Sequence, residues 1–156
     1  MTNFLITTKG LEKLKNELFD LKNVQRPAII EAVAEAREHG DLKENAEYHA
    51  AREKHGMIEA TISDYEDKVA RAKAIDISQL SGSIVRFGAK VKLENLDNEK
   101  IVKYQIVSEY EANIENGLIS DQSPVAKALM GKEQGNEIEI RTPGGVIDYE
   151  ILEVSF

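Results

Sequence analysis

The sequence predicts an α+β protein. An N-terminal antiparallel coiled-coil hairpin is expected over residues 1–75, a linker over 76–82, and a small antiparallel β domain with one short helix over 83–156. Three observations carry this reading. Before residue 75, apolar side chains recur in steps of three and four, the spacing of one helical stripe. That pattern is interrupted near its middle by Gly40, a residue suited to the left-handed position just past a helix end. After AIDISQLSGS, at Ala74 to Ser83, the period drops to two, the alternation of strands.

The first arm opens with Leu11, Leu14, Leu18 and Leu21 on one stripe. Arg26-Pro27 then predicts a kink or short break, because proline has no N–H to donate and disfavours helical geometry in the residue before it. Ala28, Ile29, Ala32, Val33 and Ala36 resume the apolar face up to Gly40. On the second arm Tyr48, Ala51, His55, Ile58, Ile62, Tyr65, Val69 and Ala72 form a heptad-like seam. The short connection forces the arms to fold back on one another, each about 45 Å long if it holds about 30 residues. Small residues at Ala28, Ala32, Ala36, Ala46, Ala50 and Ala51 are expected to let the arms approach closely and keep the tip slim.

In the second half, Val85, Phe87, Ala89, Val91 and Leu93 alternate with Ile84, Arg86 and Gly88. Further strand-like runs are Lys100 to Tyr110, Glu137 to Arg141 and Val146 to Val154, the last two joined by the turn Thr142-Pro143-Gly144-Gly145. The one helix is expected after Ser123 as cap and Pro124 in its first turn, with Val125, Leu129 and Met130 as its apolar face and Gly131 ending it.

Composition bounds the function. A chain of 156 residues, 42% hydrophobic and 31% charged, describes a globular protein with a wet surface. It contains no cysteine, which excludes disulfides, thiolate metal sites and cysteine nucleophiles. No segment reads as a signal peptide and no apolar run would span a bilayer, so the cytoplasm is the expected compartment and no membrane partner is expected. A net charge of −8 argues against a nucleic-acid coat, which needs an excess of Lys and Arg. Residues 1–75 carry 12 basic and 14 acidic side chains, and residues 76–156 carry 8 and 14, so any basic patch is expected in the first half.

Chemistry gathers at the turn, REHGDLKENAEYHAAR, Arg37 to Arg52. Asp41-x-x-Glu44 is the sequence of a capping box, and acids at a helix start also suit its dipole. The same two carboxylates could instead complete a Mg²⁺ site whose remaining oxygens come from elsewhere, since Mg²⁺ keeps waters and takes phosphate ligands. His39, His49 and His55 lie nearby but lack the spacing of a zinc site. Arg37 and Arg52 could face phosphates, or pair with Glu38, Glu53 or other neighbouring acids. Tyr48 could stack on a base, but its place on the seam favours packing. No glycine-rich phosphate loop and no G-x-S-x-G elbow occurs, so autonomous catalysis is not expected.

At these residues the chain resembles the bacterial Gre transcript cleavage factors, the GreA type in particular. The likeness runs through RPAIIEAVAEAREHGDLKENAEYHAAREK in the hairpin and GLISDQSPVAKALMGKEQGNEIEIRTPGGVIDYEILEV in the β domain. The resemblance implies an FKBP-like second domain that docks at the rim of the RNA polymerase secondary channel while the coiled coil enters it. It implies that Asp41 and Glu44 act in trans within the polymerase active site, helping to hold a second, shared Mg²⁺ and to orient the attacking water. Arg37 and Arg52 would contact the extruded RNA, and Ser123 and Pro124 would belong to the docking surface. The implied partners are bacterial RNA polymerase and the 3′ end of backtracked RNA, with the factor itself a monomer and not an enzyme. Its outcome would be cleavage by the polymerase that rescues arrested complexes. Gln122, where the GreB type carries an acid, and the small basic surface of the hairpin align the chain with GreA and with short backtracks.

Two other functions remain to be weighed. The implied FKBP-like fold raises a prolyl isomerase, against which stands the scarcity of aromatics: Phe87, Tyr104, Tyr110, Tyr149 and Phe156. A hairpin chaperone would be insensitive to Asp41→Ala.

Overall fold

A computed structural model describes residues 2–40 and 43–156. It divides the chain into two compact units, one of residues 11–72 and one combining residues 2–10 with 73–156. Residues 2–10, grouped with the hairpin in the sequence reading, thus sit with the β unit, and so does the segment 76–82 that was read as a linker.

In the hairpin, α1 (Thr8–Asp20) runs into a π-helical turn at Leu21–Gln25 and on into α2 (Arg26–Arg37), while α3 (Ala46–Arg71) returns. The expected kink is this π turn. Arg26 N–H reaches back to the Leu21 carbonyl, and Asp20 and Arg26 both keep right-handed helical angles, so the chain never leaves the helix. Pro27 explains it: in a straight α-helix its ring would press on the carbonyl four residues earlier, and a wider turn accommodates that loss.

Leu21, Ile29, Ile58 and Ile62 form the buried seam, with Leu18, Ala32, Ala51 and Tyr65 packed against it. Ala36 and Tyr48 are buried nearer the turn. The stripe read from the sequence is therefore the packed one, with an exception: Ala28, Ala46 and Ala50 face solvent, and only Ala32, Ala36 and Ala51 of the six alanines line the inner face. Ala50 sits directly beside Ala51, and one residue turns about 100° around the axis, enough to leave the stripe. Arg26 joins the arms through two hydrogen bonds to Glu59, at 2.8 and 3.0 Å.

In the β unit, β1 (Phe4–Thr7) pairs with β2 (Ala72–Ile75). The main sheet contains β3 (Lys90–Asn95), β4 (Ile101–Val107), β5 (Leu118–Ser120), β6 (Glu137–Thr142) and β7 (Gly145–Ser155), in the order β5-β4-β3-β7-β6. Three pairings are antiparallel, but β5 lies parallel to β4, which corrects the purely antiparallel expectation. Residues 108–117 make the return that a parallel neighbour requires. β1, β2 and β5 were not foreseen, being only three or four residues long, too short to display a period.

The alternation of Val85, Phe87, Ala89, Val91 and Leu93 marks the core correctly, all five being buried. Only the last two lie in a strand. Residues 85–89 turn at Gly88, whose φ of +89° suits glycine and whose N–H reaches the Ile106 carbonyl. Across the core stands α4 (Pro124–Leu129), which inserts Ala126 and Leu129. Glu111 ties the N-terminal segment in: its carboxylate accepts the Thr7 N–H, the Thr7 hydroxyl and the Ser108 N–H. The Thr7 hydroxyl oxygen in turn accepts the Gly10 N–H at 3.0 Å, and a Cβ at Gly10 would collide with Glu111.

Candidate functional site at the hairpin turn

The capping box expected at Asp41 and Glu44 is not the start of α3. The N-cap of α3 is Asn45, whose side-chain oxygen accepts the Tyr48 N–H at 3.0 Å, so the helix begins after Glu44 instead of enclosing it. The Asn45 amide nitrogen donates to the Ala36 carbonyl at 2.5 Å. One side chain thus satisfies an orphan donor at the start of α3 and gives a second donor to the Ala36 carbonyl at the end of α2, which also accepts the His39 N–H. Sequence reasoning passed over Asn45 because Asp41 and Glu44 offered a competing cap one turn earlier.

Asp41 lies outside the described residues. Glu44 stands in the turn before Asn45, exposed and without a hydrogen bond or ion pair to any described residue. Arg37, in the last turn of α2, is exposed and forms none either. Arg52 is exposed on α3, its guanidinium 5.7 Å from the centre of the Tyr48 ring. The ion pairs with Glu38 or Glu53 that would have explained the two arginines do not form. Tyr48 is buried as expected and serves as an aromatic bed for Arg52.

The three histidines are engaged separately. His39 meets Glu47 at 3.3 Å across the turn, His49 Nε2 lies 3.2 Å from the Lys43 carbonyl, and His55 contacts Glu59 at 3.3 Å. His55 is half-buried at the edge of the seam, where its imidazole adds to the pair that Arg26 makes with Glu59. Hydrogen bonds from Arg26 hold the Glu59 carboxyl below the usual carboxylate range, partly opposed by desolvation. Among the described residues no group of three or more His, Cys, Asp or Glu side chains is arranged to hold a metal ion.

Ser123 and Pro124 belong to the β unit. The Ser123 hydroxyl oxygen caps α4 by accepting the Ala126 N–H at 3.2 Å, while Pro124 is exposed. Two residues earlier, burial pushes the Asp121 carboxyl above its ordinary value, with the nearby Glu109 charge adding to the effect and hydrogen bonds opposing it.

Together these features define a two-unit α+β protein in which an exposed acid, Glu44, and two exposed arginines, Arg37 and Arg52, stand near the turn of a helical hairpin. The chain belongs to the GreA/GreB family of transcription elongation factors. Residues 4–74 match the family described as "Transcription elongation factor, N-terminal", and residues 80–156 match "Transcription elongation factor, GreA/GreB, C-term". Relatives named "Transcription elongation factor GreA" are similar over nearly their full length. The one from Phenylobacterium zucineum (strain HLK1) is 54% identical over 151 residues, covering 97% of this chain and 96% of its own. The one from Pasteurella multocida (strain Pm70) is 52% identical over 158 residues, covering 100% and 99%. Among solved structures, the GreA factor homolog 1 (Gfh1) protein of Thermus thermophilus is 28% identical, with 99% of each chain covered and a TM-score of 0.45.

Proposed function

We propose that this elongation factor inserts its hairpin turn into the secondary channel of bacterial RNA polymerase and stimulates the polymerase's own cleavage of backtracked RNA. The observation that carries the reading is Glu44, an exposed acid that the helix does not use as a cap. In this role the chain is not itself an enzyme but completes an active site that belongs to its partner. Carboxylate oxygens are the hard donors that Mg²⁺ takes, and Glu44 with Asp41 would supply part of a shared ligand set. When bound there, Mg²⁺ would supply positive charge beside the phosphate and acidify a water.

The chain's own residues have separable tasks. Glu44 and Asp41 would orient the attacking water and accept its hydrogen bonds. Arg37 and Arg52 carry charges that no carboxylate on the described chain neutralises, and they would receive phosphates of the RNA 3′ segment. Tyr48 holds Arg52 in place from below. Pro124, exposed at the head of α4, would meet the rim of the channel, with Ser123 fixing the local backbone.

The test is RNA cleavage in halted, backtracked complexes with wild-type protein, Glu44→Gln and Asp41→Asn, each checked for binding to the polymerase. Loss of a metal-proximal carboxylate is expected to cut the stimulated rate by about 10–100-fold or more while binding persists. Full stimulation by both variants would overturn the proposal and leave a channel-occupying or chaperone role.

A further inference from the structure

The Glu44 carboxylate is exposed and meets no described side chain that would aim it. Its direction therefore depends on the backbone beneath it, and the residues on both sides of Glu44 are tied down. On the N-terminal side, the Lys43 carbonyl accepts a hydrogen bond from His49 Nε2 at 3.2 Å, reaching back from the first turn of α3. That carbonyl belongs to the peptide plane that leads into Glu44. On the C-terminal side, the next plane ends at Asn45, whose side chain accepts the Tyr48 N–H and donates to the Ala36 carbonyl. Peptide planes are stiff and each residue has only two soft torsions, so restraints on both neighbours leave the Glu44 backbone little freedom.

The restraints support one another. The His49 N–H donates to the Asn45 carbonyl at 3.1 Å, which joins the two residues through the first backbone bond of α3. The His49 ring stands edge-on to the ring of Tyr48, centres 5.5 Å apart, and Tyr48 is buried in the hairpin. A line of contacts thus runs from the packed interior to the Lys43 carbonyl. Asn45 does more than stiffen the turn. It is the neighbour of Glu44 and reaches the neighbour of Arg37, so its amide sets the spacing between the exposed acid on one side of the turn and the exposed arginine on the other. Hydrogen bonds open to water add little to folding, because water replaces them when they break. Their use here is directional.

We propose that Asn45 and His49 are positioning residues that bracket Glu44 and hold it at a set distance from Arg37, so that the acid reaches the polymerase already oriented. The inference rests on the cleavage reading and adds the devices that aim its acid. Small misplacements of a reacting group are costly, since effective alignment requires the geometry to be in place before reaction. Supporting contacts of this kind fix the groups that meet a metal or substrate.

Two variants separate aiming from folding. Asn45→Ser keeps an equivalent helix cap but is too short to reach Ala36 as well. His49→Phe keeps a ring beside Tyr48 and loses the donor. In the free protein, the backbone order parameter at Glu44 is expected near about 0.85 for wild type and below about 0.6 for either variant. In halted, backtracked complexes, the maximal stimulated rate is expected to fall about 10–100-fold while the half-saturating factor concentration stays unchanged. Arg26→Gln, which breaks the link to Glu59 between the arms, is expected to alter neither readout. Should Asn45→Ser not fold, His49→Phe, altered only at an exposed side chain, carries the test. The proposal is overturned if the order parameter in the variants matches wild type, if their maximal rate does, or if the loss lies only in half-saturation. It is equally overturned if Arg26→Gln lowers the rate as much, which would reduce the effect to hairpin stability. Wild type that stimulates no cleavage overturns the cleavage reading and this role together, whereas variants that stimulate as well as an active wild type overturn the bracket alone.

Discussion

At the residue scale, Asn45 and Glu59 each do two jobs. Asn45 caps α3 and ties off the last turn of α2, so Asn45→Ala removes both contacts. Loss of an N-cap costs about 1–2 kcal/mol. The cost should appear as a lower melting temperature and as faster amide exchange at Tyr48 and its neighbours. Glu59 is different because its contribution depends on pH. Its carboxyl is held below the ordinary range, first by hydrogen bonding to Arg26, so the stabilisation is present above about pH 4.3 and is lost as pH falls through the lowered folded value. Arg26→Gln is therefore expected to melt below wild type at neutral pH, with the gap closing on acidification; calorimetry across pH 3–7 checks it, and a gap independent of pH would assign the effect to packing. Neither residue was legible in the sequence. Asn45 was masked by the Asp41–Glu44 pattern, and the Arg26–Glu59 pair spans 33 positions that no local spacing connects.

At the element scale, long periodic segments were readable and short ones were not. The seam of α3 follows its heptad pattern because every third or fourth residue must meet the opposing arm. By contrast β5, with three residues, is defined by its partner β4 and by nothing of its own. The turn at Gly88 shows how an alternating pattern can mark burial without marking a strand. It also makes a prediction: Gly88→Ala forces a side chain into φ of +89° and into the Cγ2 of Ile77. A left-handed non-glycine costs about 1–2 kcal/mol and overpacking adds about 1–3, so a loss of about 2–5 kcal/mol is expected in denaturant unfolding. Adding Ile77→Ala should restore the steric part only, and a double-mutant cycle would measure the coupling.

At the scale of the whole molecule, the chain is nested: the β unit is begun by residues 2–10, suspended, and completed by residues 73–156. This organisation was not visible in the change of periodicity, because β1 is brief and lies beside a much stronger helical signal. Completion depends on Glu111, whose carboxylate receives two of its three hydrogen bonds from Thr7, and on the edge-on contact of Phe4 with Tyr110, ring centres 4.9 Å apart. Deleting residues 2–7 removes the two Thr7 hydrogen bonds and should destabilise the β unit by about 3–6 kcal/mol, since hydrogen bonds to a charged group contribute about 1.5–3 kcal/mol each. The loss should be read in the β-unit transition with tyrosine fluorescence, while helicity from the hairpin persists. A single shared transition with simultaneous loss of helix would show instead that the two units unfold together.

The pairing of β1 with β2 also makes the hairpin a replaceable cassette, for its entry and exit are neighbours in one small sheet. Neighbouring strands stand about 4.8 Å apart whatever chain connects them. Seven residues removed from each arm keep the heptad seam in phase and shorten the arm by about 10 Å. The reach of the protein is thus a ruler graduated in heptads, adjustable by paired insertions or deletions while the strands that hold its base remain the same.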